Sequence, residues 1–421
     1  MHDAYSSFRQ SNFPKYLSGN LISTAGMQMQ AVAVGWELYE RTGSALALGM
    51  VGLVEVLPLI VLALPAGHVA DRYSRKRVLM WSQLLFAFSS IGLAAVSLSH
   101  GPIVVLYVLL FCGGIARTFQ GAAKGSLLPQ VVEPSQFANA VTWNSAGWQI
   151  ASVIGPALGG LLIGLTHRAW PVYLSAAVTA LAFLVLLLGI HPLVSSGAPA
   201  SASLEGLLGG VKFLRQTPVL LAAITLDLFA VLLGGAVTLL PIFAKDILHV
   251  GPTGLGWLLA GPSAGAVLVA LVLAHRPFRH AGRALLLAVA GFGTATIVFG
   301  LSRSFPLSLT MLVLLGALDG ISVIIRSTLV QVRTPDQLRG RVAAINSLFI
   351  GTSNELGGFE SGVLASAIGP VGSVVVGGVG TIVSVAVIAR VWPEIRRLGR
   401  LEEPGVADDR GVPPVTTVSN T

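Results

Sequence analysis

Charge is scarce in this chain. Only 10% of its 421 residues are Asp, Glu, Lys or Arg, against about 25% in ordinary soluble proteins, which excludes a soluble globular domain. Cysteine is scarcer still. The single Cys112 lies in an apolar run, where it serves packing, and it excludes a disulfide framework and a thiolate metal cluster. No G-x-x-x-x-G-K-[ST] loop occurs, so a self-contained ATP-driven pump has no phosphate cradle. Neither metal-ligand nor nucleophile spacing appears, so an enzyme is not expected, nor a cofactor or metal. The basic residues behind the net charge of +8 sit in short loops and do not interleave with aromatics, so nucleic acid is not an expected partner.

Apolar residues are abundant instead, at 54% of the chain with a mean hydropathy of +0.80. They fall into runs long enough to cross about 30 Å of hydrocarbon at about 1.5 Å per helical residue. The runs are 16–38, 45–66, 78–99, 103–122, 137–165, 172–190, 219–243, 254–274, 284–301, 307–325, 342–367 and 371–389. The expected fold is therefore an all-α membrane protein with twelve transmembrane helices. Residues 191–218 begin with Pro, Ser, Gly and Ala and continue into an amphipathic piece, 204–215, suited to a membrane surface. They read as a cytoplasmic linker between a six-helix bundle at 1–190 and another at 219–392, with 393–421 as a frayed cytoplasmic tail. Ala31 and Ala33 form a faint A-x-A pattern, but the apolar run continues past them and no cleavage is expected.

The distribution of cations gives an orientation. With the N-terminus inside, 22 Lys and Arg fall on the cytoplasmic side and 4 on the other, Arg41, Arg168, Lys245 and Arg303. By the positive-inside rule both termini are expected in the cytoplasm. An internal repeat supports two halves: Leu128, Gln130, Val131, Pro134, Gln136 and Val141 recur 201 residues later as Leu329, Gln331, Val332, Pro335, Gln337 and Val342.

The stretch 67–77, GHVADRYSRKR, packs five charges between two apolar runs and reads as a short loop at the membrane surface. Gly67 permits close helix approach, Asp71 can accept hydrogen bonds from a neighbouring helix N-terminus, and Arg72, Arg75, Lys76 and Arg77 anchor the inner side. This run resembles the loop between helices 2 and 3 of major facilitator transporters, departing at Ser74 where the family usually has glycine. The resemblance implies a conformational latch at Gly67, Asp71, Arg72, Arg75 and Arg77, and two parallel six-helix pseudo-repeats, the major facilitator fold. The counterpart of this stretch in the second half, 275–283, has three arginines and no carboxylate.

Two further patches extend the likeness. Arg117, Gln120, Gly121 and Gly125 resemble the family's span 4 motif, whose arginine is associated with proton transfer in antiporters. A simpler role is an arginine snorkelling to the inner surface. Gly155, Pro156, Gly159 and Gly160 resemble the span 5 motif of exporters, with Ala151 in place of its first glycine, and imply a helix kink and close helix contact. Trp143, Asn144 and Trp148, with Gln120, are candidates to line a substrate cavity, or equally to pack between helices.

Ionisable residues inside the membrane need a partner or water. Glu55, Arg117, Asp227, Asp319 and Glu355 are the candidates for proton coupling. Asp227 and Asp319 are favoured as partners of Arg117 because the family resemblance implies that their spans line the central cavity, with Glu55 in reserve. With the YERTGS run at 39–44, the whole chain resembles the enterobactin-exporter-like branch, the transmembrane secretion effectors. That resemblance implies a prokaryotic cytoplasmic-membrane transporter exporting a small amphipathic or siderophore-like molecule by proton antiport and alternating access. Its expected partners are that small molecule, protons and the lipid bilayer, with a monomer as the expected form. An uptake symporter of the same fold and a non-transporting membrane receptor are the alternatives.

Overall fold

The computed structural model describes residues 5–191, 193, 204–273 and 280–399, and every regular element among them is helical. After a short turn at Ser6–Arg9 come α1 (Asn12–Thr42), α2 (Ala45–Arg72), α3 (Arg75–Leu98), α4 (Ile103–Val131), α5 (Phe137–Thr166) and α6 (Trp170–Leu188). The amphipathic piece forms α7 (Leu204–Gln216). Then follow α8 (Pro218–Leu233), the single turn α9 (Leu240–Ile242), α10 (Gly251–Leu273), α11 (Ala281–Leu301), α12 (Phe305–Arg333), α13 (Asp336–Val391) and the short α14 (Glu394–Arg397). The expected tail beyond 399 and the linker residues 194–203 lie outside the described residues, as does most of the arginine-rich counterpart of the 67–77 stretch.

Among the described residues ten helical segments are long and apolar enough to cross a membrane. Two features account for twelve crossings. The last of these segments turns back on itself at Gly369, whose φ of 81° only glycine adopts without strain, and Pro370 restarts the helix. α1, 31 residues long, is the twelfth. It falls short on apolarity because its buried face is polar and is partly satisfied by α3: Ser23 Oγ donates to Gln83 Oε1 at 3.1 Å, and Ser90 Oγ to Gln30 Oε1 at 2.7 Å.

Several expected boundaries move. The 67–77 stretch is not a loop: α2 continues to Arg72, α3 starts at Arg75, and only Tyr73 and Ser74 separate them. α4 and α12 run well past the expected ends, to Val131 and Arg333, because short polar stretches extend a helix beyond the hydrocarbon edge. The seventh crossing is broken. α8 stops at the Gly234-Gly235 pair, where a Cβ on Gly235 would lie 2.5 Å from the Gly357 carbonyl oxygen, and the chain goes on through a 3-10 turn, α9 and a π-turn at Phe243–Ile247.

Helix packing in the first half of the chain pairs α1 with α5 and α6, α2 with α4, and α3 with α4 and α6. In the second half α8 packs on α13, α10 on α12, and α11 on α12 and α13. Two seams join the halves, α2 to α13 and α5 to α10. Both are backbone against backbone. A Cβ on Gly49 would lie 2.9 Å from the Cα of Gly362, and one on Gly160 would lie 2.8 Å from the Cα of Gly256. All four glycines lie toward the end of the bundle that carries Gly43, the turn between α1 and α2. At this Gly43 face one apolar core includes residues of both halves, among them Trp36, Leu38 and Leu48 with Leu239, Phe243 and Leu255. At the opposite face, which carries Ser74, each half has a separate core.

Candidate functional site

That asymmetry leaves a cavity between the halves, shut at the Gly43 face. It has three compartments that share lining residues. The innermost, about 300 Å³, is lined chiefly by α1, α2 and α4, with Phe86, Leu259, the 237–241 turn and Glu355 of α13, and includes Glu55 and Arg117. One of about 570 Å³ lies against α1, α4 and α5, and one of about 470 Å³ against α8, α10, α12 and α13. Toward the Ser74 face the walls stand apart: a Cβ on Gly121 or Gly125 would meet nothing within 4 Å, and Trp148 is 51% exposed.

Helix spacing builds the charged cluster of the innermost compartment. Gly114 lacks a side chain, so α4 approaches Glu55 and Pro58 of α2 closely. Arg117, one turn further along the same face of α4, donates through Nη1 to Glu55 Oε2. On the other flank Gly52 sits against the backbone of Glu355, which brings that carboxylate within 3.5 Å of Arg117 Nη2. One guanidinium thus holds a carboxylate from its own half and another from the opposite half.

Arg117 therefore does not meet the favoured Asp227 or Asp319. Asp227 is buried and paired with Arg326, which is equally buried on α12. Asp319 lines the 470 Å³ compartment, and among the described residues no ion pair or hydrogen bond engages it. Arg326 was expected on the cytoplasmic side, one residue beyond its span. The helix continues for seven residues past it, so it lies inside the bundle. Lys124, also counted among the inner cations, lines the 570 Å³ compartment.

The other expected residues divide. Gln120, Asn144 and Trp148 line the cavity. Trp143 does not; it packs against Tyr5 and Phe8 of the N-terminal segment, with ring centroids 5.6 and 5.1 Å away. α5 stays helical through Pro156. Its glycines act as contact surfaces, Gly155 and Gly159 against α1 and Gly160 against α10. Asp71 makes no hydrogen bond or ion pair among the described residues, while Lys76 Nζ donates to the carbonyls of Leu188 and Ile190 at 3.1 and 2.8 Å, capping the end of α6.

One cross-half contact had no signal in the sequence. The Tyr39 hydroxyl donates to Asp246 Oδ2 at the Gly43 face, under the Lys245 ammonium 5.7 Å from the tyrosine ring centroid. Asp246 lies three residues past the apolar run 219–243, and nothing in its sequence neighbourhood marks a partner.

The family described as transmembrane secretion effectors matches residues 2–401. The chain belongs to that family. Family members are major facilitator transporters, not enzymes, and this one is a multi-pass membrane protein. It is 32% identical over 370 residues to the multidrug efflux pump Tap of Mycolicibacterium fortuitum, covering 83% of this chain and 88% of that one. It is 28% identical over 406 residues to the enterobactin exporter EntS of Escherichia coli, covering 95% and 94%. Among solved structures, a bacterial homologue of the human lysosomal transporter Spinster, inward-facing and unoccupied, superposes with a TM-score of 0.71 at 15% identity, covering 91% of this chain and 98% of that one. A D-xylose–proton symporter does so with 0.71 at 13% identity, covering 93% and 99%. These two likenesses concern the fold.

Proposed function

We propose that this protein is a secondary active exporter of a prokaryotic cytoplasmic membrane, expelling a small amphipathic or siderophore-like molecule in exchange for protons. The observation that carries this reading is the Glu55, Arg117 and Glu355 cluster at the blind end of a cavity open to one face only. Residues 1–190 and 219–392 act as the two moving bundles, joined by 191–218, and both termini are cytoplasmic. Moving Arg117, Lys124 and Arg326 into the bundle still leaves 19 cations against 4, so the charge argument for orientation holds. The cavity then faces the cytoplasm.

In this inward-open state Arg117 is in contact with both carboxylates. When the bundles rock and the α2–α13 seam parts, Glu355 leaves Arg117. Its carboxylate then takes a proton from the outer medium, because a lone charge on a poorly solvated wall is costly. The return stroke brings Arg117 back, and the proton leaves to the cytoplasm. Asp319 offers a second protonatable group facing the cavity. Asp71 is unengaged here because the Ser74 face is open; when that face closes, the family resemblance implies that it latches a neighbouring helix.

The test is transport in everted membrane vesicles. Enterobactin and a panel of amphipathic drugs are supplied outside vesicles energised acid-inside, and at least one is expected to accumulate and to be lost on adding a protonophore. Accumulation only in right-side-out vesicles energised acid-outside would make it an uptake symporter. Orientation is checked separately. In a Cys112→Ala background, cysteine at Ser74 is expected to react only with a cytoplasmic thiol reagent and cysteine at Ser304 only with an external one. Labelling of both from one side overturns the topology.

A further inference from the structure

We propose that Lys124 marks an anion-recognition subsite in the wall made by α1, α4 and α5, and that the cargo is therefore an organic anion with a flat apolar body. The inference rests on the transporter reading for the word cargo, and on this chain's own residues for the site.

Lys124 lies two helical turns beyond Arg117 on the same face of α4. The other cations inside the bundle are matched, Arg117 by two carboxylates and Arg326 by Asp227. No carboxylate among the described residues pairs with Lys124. Its ammonium lies 5.8 Å from the centroid of the Phe183 ring, and the other polar groups of the compartment it lines are the carboxylate-paired Arg117 and neutral amides and hydroxyls. An interior ammonium without a counter-ion is an attractive site for one supplied from outside.

The amides around it are also incomplete. Gln120 is only 2% exposed, yet neither its Nε2 nor its Oε1 has a partner among the described residues. Gln149 Oε1 and Asn20 Oδ1 are likewise unpaired, while Asn20 Nδ2 donates to Asn144 Oδ1 at 2.9 Å. Buried amides ordinarily find partners within the fold. A cluster that does not, beside an unmatched cation, is suited to a polar group arriving with the ligand.

The internal repeat sharpens the point. The position 201 residues after Lys124 adjoins Arg326, and the position 201 residues before Asp227 is Gly26. The second half thus closes its cation with an acid, whereas the first has glycine there, packed so tightly that a Cβ would lie 2.9 Å from that of Thr179. Trp148 stands half exposed where this compartment meets the next, offering a flat surface to an aromatic or planar body.

Equilibrium dialysis of the purified full chain against a matched series tests the proposal: 2-naphthoate, neutral 2-naphthamide and a cationic naphthyl trimethylammonium. Wild type is expected to bind naphthoate at least tenfold tighter than naphthamide. Lys124→Gln should erase the ratio and Lys124→Arg keep it. Gln120→Glu, which places a carboxylate one turn before Lys124, should also erase it and serves if Lys124→Gln does not fold. A preference that survives both neutralising variants, tightest binding of the cation, or no binding of any member overturns the proposal. So does Lys124-dependent displacement of naphthoate by phosphatidylglycerol in nanodiscs, which would make the ligand a lipid headgroup. Everted-vesicle transport of the same series separates the two readings: a Lys124-dependent preference without proton-driven movement leaves the site standing and removes the exporter.

Discussion

Arg117→Ala is expected to lower proton-driven efflux about a hundredfold while leaving the protein folded and inserted. The substitution removes two charge-assisted contacts worth about 1.5–3 kcal/mol each. The contact to Glu355 is long, at 3.5 Å, and the Arg117 side chain is 45% exposed to the cavity, so screening reduces the sum to about 3 kcal/mol, or two decades. The direction follows from the charges. Without the guanidinium, Glu55 and Glu355 face each other with no cation between them, and the contact that would expel the proton on the return stroke is lost. Glu55→Gln and Glu355→Gln should each blunt the pH dependence of efflux. Their combination with Arg117→Gln should be no worse than Arg117→Gln alone, the non-additivity expected of groups acting as a unit. Efflux by Arg117→Ala at the wild-type rate with an unchanged pH profile would remove this cluster from the mechanism.

The pair Asp227–Arg326 is expected to behave in the opposite way. Its side chains are 7% and 3% exposed, and removing one partner of so buried a pair strands the other, at a cost of about 3–5 kcal/mol of stability. Asp227→Ala should therefore unfold at markedly lower denaturant than wild type. Asp227→Leu combined with Arg326→Met, which removes both charges, should recover most of the loss and still drive efflux with the wild-type pH profile. If the double variant is stable but uncoupled, the proton site is this pair and not the glutamates.

Depth along a helix was legible in the sequence; azimuth was not. Counting residues placed Glu55, Arg117, Asp227, Asp319 and Glu355 at similar levels, and it did so without knowing which faces they share. The partners follow from where glycine lets two helices touch: Gly114 brings α4 to Glu55, and Gly52 brings α2 to Glu355. No single-sequence pattern encodes that a glycine on one helix meets a carboxylate-bearing residue 59 or 303 positions away. Apolar runs likewise marked where helices cross hydrocarbon but not where they end, so Arg326 and Lys124 were assigned to a surface that α12 and α4 extend beyond. α1 was recognised in spite of its polar face, because its length and flanks fitted a span. Its Ser23 and Gln30 are matched helix to helix, a pairing visible only once α3 is beside it.

The one-sided cavity has an electrical consequence. Water in a vestibule open at the Ser74 face conducts and is strongly polarisable, so little of the membrane voltage can fall along it. Nearly all of it drops across the apolar plug that includes Trp36, Leu48, Leu239 and Phe243. A potential otherwise spread over about 30 Å is compressed into a fraction of that distance, and the local field rises in proportion. The Glu55, Arg117 and Glu355 cluster sits at the edge of this drop. A proton that the carboxylate takes up on one side and releases on the other experiences almost the full voltage, about 2.3 kcal/mol per 100 mV, in the single step that switches access.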